Sequence, residues 1–309
     1  MARGLLTVLP TLGTSGGGTV VTSLRRYVLG AFVSGMAVLA AATGAQAAGA
    51  ACEPAKLAAT YPGLARKTIK IGADPQTQPY VFRDPKDFNK VIGADTELAA
   101  AVFDCMGIKH EMFLGGWSGM LPAVAAGQID VFWDTLYYTP ERAKEADFVN
   151  YMQAGTGALT QPGNPKHITS WDNSCGDTYA VGLGTVEDVK MHTEDKACLA
   201  AGKKGITILT YPDQASGMRL IQTDRADIML TDLSMVDSQV AANPKLYSRA
   251  FMVLTGWRIG AAVKKGNSEL LHAIYDGLKI MQANGTQKAI FEKYHIDPAL
   301  AVPIEIKTH

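Results

Sequence analysis

Apolar positions along the chain change period from one segment to the next. Thr68-Ile69-Lys70-Ile71-Gly72 alternates in strand fashion and runs into Ala73-Asp74-Pro75, which predicts a strand followed by a loop. From Asp95 to Met106 the spacing of Leu98, Val102 and Met106 is helical. Ile108 to Phe113 reads as a strand, Met120 to Ala126 as a short helix and Ile129 to Trp133 as another strand. Alternation of this kind predicts a sheet with helices packed on both faces.

The pattern then repeats. Tyr179 to Leu183 is a predicted strand, Val186 to Leu199 a helix, Ile206 to Tyr211 a strand, Ala215 to Thr223 a helix and Ala226 to Leu230 a strand. A second lobe follows from that repetition. Arg258 to Val263 adds a strand, Glu269 to Asn284 a helix stopped by Gly285, and Gln287 to Tyr294 a short last helix. If these return to the first lobe, the chain crosses between lobes twice and the crossings form a hinge. Ala48 to Ala65, small and Pro-containing, reads as a surface lead-in.

The first fifty residues differ from the rest. Arg25-Arg26 precedes an apolar stretch from Tyr27 to Ala42 and then Ala45-Gln46-Ala47, the pattern of a secretory signal cleaved before Ala48. A retained anchor needs about 20 apolar residues, more than this stretch supplies. Cys52, Cys105, Cys175 and Cys198 all lie beyond the cleavage site, where an oxidising compartment lets disulfides persist, so two bridges are expected. Cys52 as a lipidated first residue is disfavoured, because Gly49-Ala50-Ala51 lacks the usual leading leucine.

Composition narrows the partners. The 29 basic and 29 acidic side chains balance, so no overall field draws the protein to nucleic acid or an acidic membrane surface. A small-molecule partner is expected. The cysteines contain no CxxC and the six histidines show no ligand spacing, which argues against a zinc site, and no cofactor is indicated. Nor does a catalytic constellation emerge. Gly116-Trp117-Ser118-Gly119 resembles a nucleophile elbow, but Met120 occupies the place of its closing glycine. In Gly182-Leu183-Gly184-Thr185-Val186-Glu187, Glu187 replaces the third glycine of a dinucleotide fingerprint. The same segment presents free amides at Gly184 and Thr185 to a carboxylate, or it is a plain strand-to-helix turn.

Gly127-Gln128-Ile129-Asp130-Val131, followed by Thr139-Pro140-Glu141-Arg142 and Ala146-Asp147-Phe148, closely resembles the signature of solute-binding proteins family 3, polar amino-acid receptors of ATP-driven importers. The resemblance runs from Lys67 to about Ile296 and includes Gly93 to Asp95, Trp117 to Pro122, Val181 to Thr185, Asp224 to Asp232 and Val263 to Gly266. It implies an α/β, two-lobe periplasmic binding protein fold of type II, each lobe a mixed sheet flanked by helices, with a two-stranded hinge. Its implied boundaries are a signal peptide over 1–47, a lead-in over 48–66, lobe 1 over 67–154 plus 256–303, lobe 2 over 155–255 and a tail over 304–309. The implied function is a monomeric periplasmic receptor delivering an amino acid or derivative to the permease of an ABC importer. The runner-up is a dehydratase-like enzyme on the same fold, with Asp134 or Glu187 as a base.

By the same resemblance Arg142 grips the ligand α-carboxylate, Asp232 takes the α-ammonium and Thr185 adds hydrogen bonds at a helix start. A planar guanidinium suits the first role because it donates two parallel hydrogen bonds to a carboxylate. Trp117 falls where the family places a wall, and Asp74, Thr77, Tyr80, Asp134, Thr135 and Tyr137 fall on pocket loops. Each has a structural alternative: Arg142 pairing with Glu141 or Glu145, Asp232 capping a helix, Trp117 in the core, Asp74-Pro75 starting a turn. Asp134 and Tyr137 depart from the small residues that many members carry. Asp74 and Asp134 thus either await a cationic ligand end, backed by Trp117, Tyr80 or Tyr137, or bond to loop amides and hydroxyls around a neutral pocket. Relatives often carry cysteines where Cys175 and Cys198 flank the start of lobe 2, which implies Cys175–Cys198 and leaves Cys52–Cys105.

Overall fold

A computed structural model describes residues 51–308; the expected signal segment and its cleavage site lie outside these residues. Strand β1 (Thr68–Ala73) follows the predicted alternation, its Ile69 and Ile71 buried and its Thr68 and Lys70 exposed. A small antiparallel sheet comes next, β2 (Gln76–Thr77), β3 (Val81–Asp84) and β4 (Asp87–Ile92). Sequence did not foretell it, because two of its strands are very short and β4 is largely exposed. The chain then enters α2 (Ala94–Cys105), which follows α1 (Pro54–Thr60) in the helix count and buries Leu98, Ala99, Val102 and Phe103. Gly93 makes this entry feasible: its φ is 134°, and a Cβ there would stand 2.0 Å from the Tyr80 carbonyl oxygen.

β5 (Lys109–Leu114), α3 (Met120–Ala126) and β6 (Val131–Phe132) complete the first alternation, with β1 lying between β5 and β6 in parallel. The second comprises β8 (Thr178–Gly182), α4 (Val186–Ala200), β9 (Thr207–Tyr211), α5 (Gln214–Gln222), β10 (Ile228–Asp232) and α6 (Leu233–Ala242). Here β8 is flanked in parallel by β9 and β10. Two long antiparallel strands, β7 (Ala146–Thr160) and β11 (Ser248–Lys264), join the halves. The sheet order is β5-β1-β6-β11-β7-β10-β8-β9, with β12 (Ala301–Lys307) added along β7. Helices α7 (Ser268–Ala283) and α8 (Thr286–Lys293) return to the first half, where α7 packs on α2.

β7 is the longest element that sequence patterning missed. Nearly every one of its side chains is buried, so neither face is polar and alternation is lost. Asp147, Asn150 and Thr156 interrupt the apolar run yet sit inside. Gly157 allows the helix behind it to approach, since a Cβ there would stand 2.8 Å from Val236 of α6. Residues 304–309, expected as a tail, supply most of β12, which covers the outer edge of β7. The lead-in is likewise anchored: Tyr61 and Leu64 are buried, and the Tyr61 hydroxyl donates to Asp276 of α7 at 2.6 Å. Both expected bridges, Cys52–Cys105 and Cys175–Cys198, are present.

Candidate functional site

The parallel strands of both halves aim their carboxyl ends at one cavity, as open α/β sheets do where they bind ligands. Asp74 follows β1, Thr135 follows β6, Thr185 follows β8, Asp213 follows β9, and Asp232 ends β10. About 620 Å³ of unfilled space lies between them, part of it open to solvent. Arg142, Trp117 and Tyr137 complete the first-half wall.

Arg142 points inward rather than to Glu141 or Glu145. Its Nη1 donates to the Tyr137 carbonyl at 2.8 Å and its Nη2 to the Gly184 carbonyl at 3.0 Å, while the guanidinium lies 5.2 Å from the Trp117 ring centre. Burial pulls its pKa down to about 10, against the opposing pull of Glu187 and Tyr137, so it stays charged at neutral pH. Two carbonyls use two of five N–H donors, leaving the rest of the fork for a ligand. Thr185 caps α4, accepting from the Asp188 amide, but the two amides expected to be free are taken: that of Gly184 donates to the Asp188 carboxylate and that of Thr185 to the Gly182 carbonyl, both at 3.2 Å.

Asp232 satisfies both of its sequence readings. It caps α6 by accepting from the Ser234 amide at 2.9 Å and the Met235 amide at 3.4 Å, and it lines the cavity. Tyr80 donates to its Oδ1 at 2.9 Å, and the Tyr137 hydroxyl lies 2.8 Å from its Oδ2 and 2.7 Å from the Gly155 carbonyl. Burial pushes the Asp232 carboxyl up to about 6, an effect that these donors oppose and Glu187 reinforces.

Two expected lining residues stand behind the wall. Asp134 is fully buried and accepts from the Asp74 amide at 2.8 Å and the Thr77 hydroxyl at 2.6 Å, with the Thr135 hydroxyl at 3.2 Å. It therefore ties the loop after β1 to the loop after β6 through neutral donors, and burial holds its pKa well above the ordinary carboxylate range. Tyr80, also fully buried, reaches the site only through Asp232. Asp74 stays at the surface of the cavity: its Oδ2 accepts from the Trp117 amide at 3.1 Å, whereas Oδ1 is buried without a hydrogen bond of normal geometry. Burial raises its pKa as well.

Sequence reasoning left out Glu187 and Asp213 as ligand groups. Asp213 caps α5 through the Ser216 amide, and Glu187 sits in the first turn of α4, accepting from the Thr156 hydroxyl at 2.7 Å. Acidic residues at helix starts are explained locally by the dipole, so nothing in one dimension marks them as facing a cavity. Together Asp74, Glu187, Asp213 and Asp232 confront Arg142 alone. Such a lining favours a cation. Among the described residues no cluster of His, Cys, Asp or Glu is placed to hold a metal ion.

A pH dependence follows with a definite sign. Because the Asp232 carboxyl moves from an ordinary 3.8 to about 6, and that of Asp95 does likewise, folding takes up protons between these values. Their contribution to the unliganded fold is full below pH 4 and is lost as pH rises through about 6. Melting curves at pH 5 and 7.5 are expected to show Asp232→Asn gaining less from acidification than wild type. Equal gains would remove Asp232 from the account. An ammonium ligand should show the opposite trend, binding more weakly as Asp232 protonates.

Comparison with known proteins covers most of the described chain. Residues 69–297 match the bacterial extracellular solute-binding proteins, family 3. An L-cystine-binding protein of Escherichia coli strain K12 is 27% identical over 237 residues, covering 74% of this chain and 83% of the relative. An ancestral arginine-binding protein bound to arginine superposes with a TM-score of 0.67 at 29% identity, covering 74% of this chain and 98% of its own. An ancestral amino-acid-binding protein described as a precursor of cyclohexadienyl dehydratase gives a TM-score of 0.63, also at 29% identity, covering 76% of this chain and 98% of its own.

Proposed function

The chain belongs to the bacterial extracellular solute-binding proteins, family 3, and on that footing we propose that it is a receptor which closes its two lobes on an amino acid or derivative and passes it to an ABC importer. In this reading the lobes are 67–154 with 256–303 and 155–255, and the 1–47 segment directs export to the periplasm. Arg142 and the Thr185 hydroxyl at the start of α4 receive the α-carboxylate, and Asp232 receives the α-ammonium. The far end of the ligand carries positive charge.

The observation that supports the cationic end is the excess of carboxylates in the lining, four against the single Arg142, with Asp74 held there by neutral donors from Trp117 and Gln76. Buried carboxylates without a cationic partner are costly, and a ligand guanidinium or ammonium offsets that cost. Among the relatives, arginine- and cystine-binding proteins both take ligands with a second ammonium or guanidinium group.

A thermal-shift panel of basic, neutral, acidic and aromatic amino acids tests this, together with mass spectrometry of any small molecule released on unfolding. Basic ligands at a hundred times their Kd are expected to stabilise by about 2.7 kcal/mol. Stabilisation confined to glutamate, aspartate or aliphatic amino acids refutes the cationic pocket. Recovery of the ligand unchanged after prolonged incubation separates a receptor from an enzyme.

A further inference from the structure

A second concavity, with about 1260 Å³ of unfilled space partly open to solvent, lies between the small β2–β4 sheet and helices α5 and α6. Gln214, Thr231 and Met235 line both this groove and the ligand cavity, so one layer of side chains separates the two. That layer is slight: the Gln214 amide donates to the Thr231 hydroxyl at 3.1 Å, and the same hydroxyl lies 3.3 Å from the Met235 sulfur. A methionine has three rotatable bonds and repacks readily.

The groove differs chemically from the cavity. Phe82, Phe88, Met218 and Met229 give it an apolar, sulfur-rich lining, and Arg83 is its one charged lining residue among the described residues. Phe88 is 75% exposed, which core packing does not explain. It is nevertheless held in place, because Arg83 donates to the Phe88 carbonyl at 2.9 Å and lies 5.0 Å from the ring centre. An acidic cavity thus backs onto an apolar groove marked by a single cation.

From this continuity and contrast we propose that the groove receives the distal arm of the ligand. The ligand class is an amino acid extended through its side chain by an apolar or sulfur-containing arm that keeps its positive group at the cavity carboxylates and carries an anionic group beyond it. The arm lies along Phe88 and the methionines, and its anion meets Arg83. The inference rests on the receptor reading and specifies the length and far end of the molecule received.

Calorimetry with L-cystine and with S-methyl-L-cysteine, which keeps the head but lacks the distal half, tests it on the mature protein. Wild type is expected to bind L-cystine at least tenfold more tightly. Arg83→Gln and, separately, Phe88→Ala are expected to remove most of that advantage and to leave S-methyl-L-cysteine within twofold. Phe88 is too exposed for its loss to endanger the fold, which melting curves verify. Equal wild-type affinity for the two probes, an advantage that survives both substitutions, or equal losses for both probes overturns the groove while the receptor reading stands. Failure to bind any amino acid overturns the receptor reading and the groove with it.

Discussion

Arg142→Ala is expected to lower ligand affinity by about two to four orders of magnitude while the protein stays folded. Removing one partner of a buried ion pair costs roughly 3 to 5 kcal/mol, and each 1.4 kcal/mol is about tenfold in affinity. The fold is spared because Arg142 sits on a short turn and bonds to two backbone carbonyls, those of Tyr137 and Gly184. These can hydrate when the halves part. Arg142→Lys should rescue little, since a single ammonium cannot hold two carbonyls and present a planar fork. Calorimetry decides the matter: a loss of less than tenfold in Arg142→Ala removes it as the carboxylate clamp.

The disulfides carry the other large effect. Cys52–Cys105 spans 53 residues and Cys175–Cys198 spans 23. By loop entropy these closures stabilise by about 4 and about 3 kcal/mol respectively. Paired serine substitutions at each bridge should lower the urea midpoint in that order. Ligand affinity should change little, because no bridge cysteine lines the cavity. Unfolding free energies reduced by less than about 1 kcal/mol would count against the entropic account. Losing both bridges removes about 7 kcal/mol, a large share of the 5 to 15 kcal/mol typical of a domain. A reduced chain is therefore marginal, and secure folding waits on oxidation.

How far the sequence carried the fold depended on whether an element had a polar side. β1, with Ile69 and Ile71 inward, and α7, with one buried face, announce themselves by period. β7 is buried on both sides and β12 is only half-buried along most of its length, so neither alternates cleanly. The site divides differently. Arg142, Asp232, Thr185, Asp74 and Trp117 all reach the cavity, from positions that the family resemblance implied and that spacing alone left open. Asp134 and Tyr80 did not, because a loop position does not disclose which way its side chain turns; both point into the protein and brace the residues that do line the cavity. Glu187 and Asp213 become visible only when strands distant in sequence are set side by side.

The long pair β7 and β11 has a mechanical consequence. Pairing of β7 with β12 ends at Met152, and pairing with β10 begins at Thr156. Across Gln153 to Gly155 the sheet narrows to a waist two strands wide, and there β11 slips register between Leu254 and Arg258, with Gly256 at φ 74°. A waist of paired backbone is not a tether: it twists, but its length is quantised by the side-chain period of two. Inserting one residue into it would turn Ala158 and Leu159 beyond it onto the opposite faces of the sheet. Inserting two would preserve every facing and alter only reach. The range of opening can thus be tuned in steps of two residues, and odd steps dismantle the second core.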